Sequence, residues 1–192
     1  MSVRVATGIG LALLLAGCAA RPHLANDEAL IAPNVVFFVP PPDASAAPKA
    51  VTQSIVAHYR DQSFTFDAQI QIAPEDLDLV ALDGLGRRAL TVHWKAGKMD
   101  FEAAPWLPPS MRPADILADI AIVYAPEEQV SQAIARSGGT LTATPASRTI
   151  AKAGRDLIVV DYGDGEGWNR SAKLRNLAFG YEIDIRSTEL SP

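Results

Sequence analysis

The chain contains a single cysteine, Cys18, among 192 residues, so no disulfide can form within it. Histidine is almost as scarce. His23, His58 and His93 are the only three, and no two stand at the spacing by which a helix presents a pair of imidazoles to zinc. His23 falls in a proline-containing stretch and the others among strand-like residues, so each is read as solvent-facing or structural. No Gly-x-Ser-x-Gly elbow occurs, which removes the local signature of a serine hydrolase. Ser137-Gly138-Gly139 is read instead as the end of a helix. Lys and Arg form no cluster and the formal charge is −5, which argues against nucleic acid as a partner. It also argues against charge-driven adhesion to an anionic membrane. No apolar run approaches the roughly 20 residues that a membrane-crossing helix needs. Together these absences lead to the expectation of a non-enzymatic protein with no metal and no cofactor.

What is present begins at the amino terminus. One positive charge at Arg4 precedes a short apolar run from Val5 to Leu15, then Ala16-Gly17-Cys18. A basic start, an apolar middle and small residues before a cut are the parts of an export signal. Leu15-Ala16-Gly17-Cys18 matches the lipobox cut by lipoprotein signal peptidase, in which the thiol takes a diacylglyceryl group. Residues 1–17 are therefore expected to be removed. Cys18 then carries a covalent diacylglycerol and an N-acyl chain, which would consume the one thiol. Several acyl chains hold a protein at a bilayer far longer than one does, since each buried methylene contributes about 0.8 kcal/mol. Ala19 stands where an Asp would signal inner-membrane retention, which favours the outer membrane with the domain on the periplasmic side. One of the 17 basic residues and none of the 22 acidic ones lies in the signal, so the mature chain carries −6.

Residues 18–50 are expected to be a lipidated tether, because Pro22, Pro33, Pro40, Pro41, Pro42 and Pro48 favour extended backbone. Val35-Val36-Phe37-Phe38-Val39 interrupts that pattern, either as a first strand or as a segment lying on the domain. The domain proper is expected over 51–192, where strict alternation begins. Phe64, Phe66, Ala68, Ile70 and Ile72 share one face against Thr65, Asp67, Gln69 and Gln71. Leu77, Leu79 and Ala81, then Leu90, Val92 and Trp94, then Met99, Phe101 and Ala103 repeat the pattern. Turn residues at Asp61-Gln62, Ala73-Pro74-Glu75, Asp83 to Gly86 and Lys95 to Lys98 separate them, which predicts an antiparallel meander.

Pro113 suits the first position of a helix carrying Ile116, Leu117, Ile120, Ala121, Val123 and Tyr124 at helical spacing. A second short helix is expected from Pro126 to a stop at Gly138-Gly139. Strands are predicted again near 140–144, 149–153, 157–162 and 176–186. Asp161-Tyr162-Gly163-Asp164-Gly165-Glu166-Gly167 has the carboxylates of a calcium loop, but glycines occupy positions where oxygen ligands are needed, so a loop between strands is expected. The fold class that follows is mainly β with an α insertion. A curved antiparallel sheet, an incomplete barrel, is covered by short helices that are too few to fill its apolar face.

This arrangement resembles the fold of the outer-membrane lipoprotein receptor LolB and of its periplasmic carrier relative LolA, in layout alone. The segments Leu77 to Arg88, Pro113 to Asp119 and Leu177 to Ile183 resemble more closely a domain-of-unknown-function family of lipoproteins encoded beside fatty-acid-synthase-like clusters, including those making aryl polyene lipids. The resemblance spans about residues 50–187. It implies a half-barrel that holds acyl chains in a concave face, and hence a lipid or lipoprotein carrier or receptor. The membrane (through the anchor), a lipid or acylated ligand and a periplasmic carrier protein would be its partners, and a monomer is expected. A scaffold lipoprotein with a filled core, recruiting partners for envelope lipid biosynthesis or export, is the alternative.

Under the carrier reading, Phe64, Phe66, Ile70, Leu79, Trp94, Met99 and Phe101 are expected to line the cavity, large apolar groups being what an acyl chain requires. A plain packed core is the alternative for each. In Trp106-Leu107-Pro108-Pro109-Ser110-Met111 two prolines prevent a regular element. Trp106, Leu107 and Met111 are therefore expected at the lip of the cavity or against the membrane.

Overall fold

The computed structural model describes residues 24–45, 47–107 and 112–190. The lipobox with Cys18, His23 and Met111 lie outside these residues. Among the described residues twelve strands and two helices follow in the order β1 (Glu28–Ala32), β2 (Val35–Phe38), β3 (Lys49–Tyr59), β4 (Gln62–Ala73), β5 (Asp76–Asp83), β6 (Arg88–Lys95), β7 (Lys98–Ala103), α1 (Pro113–Tyr124), α2 (Glu127–Ala135), β8 (Thr140–Thr144), β9 (Ser147–Lys152), β10 (Arg155–Glu166), β11 (Asn169–Asn176) and β12 (Tyr181–Leu190).

Ten strands form one antiparallel sheet in the order β7-β6-β5-β4-β3-β12-β11-β10-β9-β8. The chain starts at the centre with β3 and meanders outward to the β7 edge. It then crosses through α1 and α2 to the opposite edge and meanders back until β12 pairs with β3. Edge strands β7 and β8 do not meet, so the curved sheet stays open, as the alternation and the short turns predict. The register keeps the apolar residues on one side: Phe66 faces Ile55, Ile70 faces Leu79, Leu79 faces Val92 and Trp94 faces Met99.

Two expectations are corrected in detail. The Asp161–Gly167 segment is strand rather than loop, since β10 runs to Glu166 and the turn to β11 follows it. A bulge between Tyr162 and Gly165 absorbs the glycines there. Gly165 has φ +99°, and a Cβ at this position would come within 1.7 Å of the Asn169 carbonyl oxygen. Second, the stretch 176–186 is not one strand. Asn176 ends β11, its side-chain oxygen accepts from the amides of Ala178 (3.1 Å) and Phe179 (2.8 Å), and β12 begins only at Tyr181.

The covering layer comes from both helices and from a hairpin inside the supposed tether. Strands β1 and β2 pair with each other, and Ala29, Ile31, Val35 and Phe37 are buried in the common core. The packed unit thus starts well before Val51, because proline content does not outweigh the apolar area this hairpin removes from water. Three polar clamps fix it. The Ser137 hydroxyl donates to the Val36 carbonyl (2.7 Å) and accepts from the Val36 amide (3.1 Å). The buried Asn176 amide donates to the Ile31 carbonyl (3.0 Å). The Arg112 guanidinium donates to the carbonyls of Glu28 (3.1 Å) and Ala25 (3.0 Å).

Helix α1 starts where expected. Pro113 is its first residue, and the Asp115 carboxylate accepts from the Arg112 amide at 3.4 Å. Its last carbonyls would be orphans. Arg148 on β9 donates to those of Ile122 (3.0 Å), Val123 (3.3 Å) and Ala125 (2.8 Å), and the Tyr162 hydroxyl adds a bond to Val123 at 2.6 Å. Helix α2 ends at the glycines, with Gly138 at φ +72° and the Gly139 amide donating to the Ile134 carbonyl.

Candidate functional site

The covering elements are unevenly spread over the sheet. Helix α2 lies on β8 and β2, and β1 lies near β10 and α1, so the β8–β11 half is closed by the hairpin and α2. Over β3 to β6 and β12 the described cover is one face of α1 together with Leu24, Leu30, Leu107 and Arg112. A cavity of about 890 Å³ remains there. Binding cavities for small ligands commonly measure about 300–1,000 Å³. Its floor is apolar, with Ile55, Phe64, Phe66, Leu79 and Leu90 from the sheet, and Ile116 and Ile120 roof it from α1.

The inward-facing residues read from the sequence divide into three groups. Phe64, Phe66 and Leu79 line the cavity. Ile70, Trp94 and Met99 are buried on the same side of the sheet but form packed core outside the cavity wall. Phe101 is 47 % exposed, on the edge strand β7. Alternation reports which side of the sheet a residue occupies, and all seven share it. Which of them meet empty space depends on where the cover ends. In the proline loop, Leu107 is buried and lines the cavity, whereas Trp106 is 42 % exposed beneath the Arg87 guanidinium, 4.9 Å from its ring centre. His58 and His93 sit on β3 and β6, where their rings face Ser63 (2.9 Å) and Asp78 (2.5 Å). Among the described residues no cluster of three or more His, Cys, Asp or Glu is placed to hold a metal.

The cavity also has a polar wall that the alternation does not reveal. Asp115 and Asp119 lie one turn apart on α1 and both face it. The Tyr181 hydroxyl, from β12, donates to the Asp119 carboxyl at 2.9 Å and 3.2 Å to its two oxygens. Burial pushes the Asp119 carboxyl up to about 7, against the bond from Tyr181, and the Asp115 charge adds to the rise. Burial also raises Asp115, although Arg112 opposes it. Gln53 on β3 is 2 % exposed, and its side-chain oxygen has no partner among the described residues. One sequence signal does exist: Asp119 interrupts the apolar run from Ile116 to Tyr124, at a position the helix must bury.

The opening is located by the exposed members of the lining. Tyr59 and Phe179 line the cavity and are partly exposed, so it reaches the surface where the β3–β4 and β11–β12 turns lie side by side. Residues 50–189 match the model of a family described as a protein of unknown function, DUF3261. The chain belongs to this family. Every part of the cavity wall drawn from the large sheet and α1 falls inside the matched DUF3261 region, while hairpin β1–β2 precedes it. No curated protein matches the chain.

Proposed function

We propose that this member of the DUF3261 family is a non-enzymatic lipoprotein, anchored by lipid on Cys18 at the periplasmic face of the outer membrane. It binds or accepts a lipid or acylated ligand, an aryl-polyene-type product being the ligand the resemblance favours. The observation that carries this reading is the cavity of about 890 Å³ with a mostly apolar wall. A scaffold would have closed that space with its own side chains, since unfilled apolar volume destabilises a core.

The molecule's apolar surface supports the same reading. Among the described residues seven large apolar side chains are exposed. Tyr59, the last residue of β3, and Leu85, Trp106, Leu177 and Phe179, on turns, stand at one end of the sheet, the end where the cavity opens. Arg60 lies over the Tyr59 ring and Arg87 over Trp106, so cations flank the apolar rim as they do at bilayer interfaces. Leu24 also lines the cavity, and the six residues from Cys18 to Leu24 span at most about 20 Å. An anchor on Cys18 therefore holds the cavity close to the bilayer surface.

The test is native mass spectrometry of the chain expressed from residue 19, released under denaturing conditions in a parallel sample. Acyl lipid should accompany the native protein and appear in the extract. A ligand-free protein that also fails to take up lipid from vesicles would refute the carrier function and leave the scaffold.

A further inference from the structure

Helix α1 presents Asp115, Ile116, Asp119 and Ile120 to the cavity. A roof over an aliphatic chain needs only the two isoleucines. The two carboxyls are costly there, because an apolar space solvates neither charge. The cations at that wall are few. Arg112, the one arginine or lysine lining the cavity among the described residues, donates to the carbonyls of Glu28 and Ala25, and its charge already faces the Asp115 carboxyl. Tyr181 uses its single hydroxyl proton on Asp119. What remains at the wall is a set of acceptors: the Asp119 carboxyl, the Asp115 carboxyl, which the Leu30 amide also approaches, and the side-chain oxygen of Gln53, buried and without a partner among the described residues. Buried acceptors are ordinarily satisfied, and those that are not mark a place where a partner belongs.

Resting on the carrier reading, we propose that the ligand is a long-chain amphiphile whose polar group is a hydrogen-bond donor, a hydroxyl or an amine, received by Asp119, Asp115 and Gln53. Free fatty acids and phosphorylated lipids are disfavoured because the two carboxyls of α1 face a single arginine at that wall, which leaves no surplus positive charge for an anionic head there. Burial raises both carboxyls, at Asp115 against the nearby Arg112 charge. Tyr181 is a positioning residue. Its bond fixes the Asp119 carboxyl against β12 and leaves the hydroxyl oxygen as a further acceptor.

The experiment compares three probes of one chain length, decan-1-ol, decylamine and decanoate, as competitors of a neutral fluorescent apolar dye at pH 8. Decanol or decylamine should displace the dye at concentrations at least tenfold lower than decanoate. In Asp119→Asn that ratio should fall at least threefold, each probe being read against the dye's own affinity for the variant. A structural role for Asp119 alone would leave the ratio between probes unchanged. Equal displacement by all three, or a ratio that Asp119→Asn does not move, overturns the donor assignment while leaving the apolar cavity as a carrier site. A dye and probes that do not bind at all overturn both. The wild-type ratio needs no variant, so a poorly folding substitution does not decide the outcome.

Discussion

At the scale of single residues, Asp119 dominates the pH behaviour expected of this protein. Its carboxyl stands near 7 in the fold against 3.8 as the ordinary value. A raised folded-state value means that the folded chain holds the proton more tightly than the unfolded one. The stability contributed by the neutral acid is therefore complete below about 4 and is lost as pH climbs through 7. Three units correspond to at most about 4 kcal/mol, each unit being about 1.4 kcal/mol. Wild type should consequently lose stability between pH 5 and pH 8, and Asp119→Asn should lose distinctly less, becoming the more stable form at pH 8. Urea denaturation at the two pH values checks this, and parallel slopes for the two proteins would refute it. The amide keeps an oxygen for the Tyr181 hydroxyl, so the substitution removes the charge without orphaning its partner. Nothing in the local sequence states how far this carboxyl is raised, because the cause is burial by residues of β12 and the sheet.

At the scale of elements, the covering layer is held by polar contacts made over long sequence separations. Arg148 closes the end of α1 from β9. Replacing it by Met keeps an aliphatic stem but frees carbonyls at Ile122, Val123 and Ala125. The loss should be about 1–3 kcal/mol. In a domain of this size that lowers the thermal midpoint by roughly 2–4 °C per kcal/mol, measurable by circular dichroism. Ser137→Ala removes both bonds to Val36, and hydrogen exchange should then quicken in β1 and β2 while β3 and β4 keep their protection. The hairpin itself shows where element reading from sequence stops. Val35 to Val39 stands out as apolar, but neither its partner β1 nor its burial follows from that. Both depend on α2 and on Ser137 and Asn176, which stand 101 and 145 residues from the hairpin residues they bond. The strands from Phe64 to Ala103 were legible because their period of two is strong and their turns contain Gly, Pro and Asp. Strand β11 was not, since Lys173 and Arg175 make one face polar, and on the other face Arg170 and Asn176 bracket only Ala172 and Leu174.

At the scale of the whole molecule, two properties can be separated by substitution. Ala81 lines the cavity from β5, and Ala81→Phe fills part of it without touching the rim. Lipid recovered with the protein should fall severalfold while the thermal midpoint stays within a few degrees, as cavity filling tends to be tolerated. Replacing Leu85 and Trp106 together by Ser alters the rim and leaves the floor intact. Transfer of a fluorescent lipid from vesicles should slow severalfold, and binding of a soluble donor amphiphile should be unchanged. Equal transfer rates would show that this end does not meet the membrane. Leu107 belongs with the cavity rather than the rim, so it is unsuited to the second test despite its place in the proline loop.

The amino-acid order by itself determined the antiparallel meander, the two helices with their proline start and glycine stop, and the face of each strand that turns inward. These are local consequences of side-chain period and backbone preference. Only the tertiary structure decided that the inward face is part core and part cavity, with Phe64, Phe66 and Leu79 bordering open space and Ile70, Trp94 and Met99 in packed core. It also decided that two carboxyls roof that space. The physical reason is coverage. Whether an apolar or acidic residue meets a neighbour or a void depends on where α1 and the β1–β2 hairpin come to rest, and contacts between residues far apart in the chain set those positions.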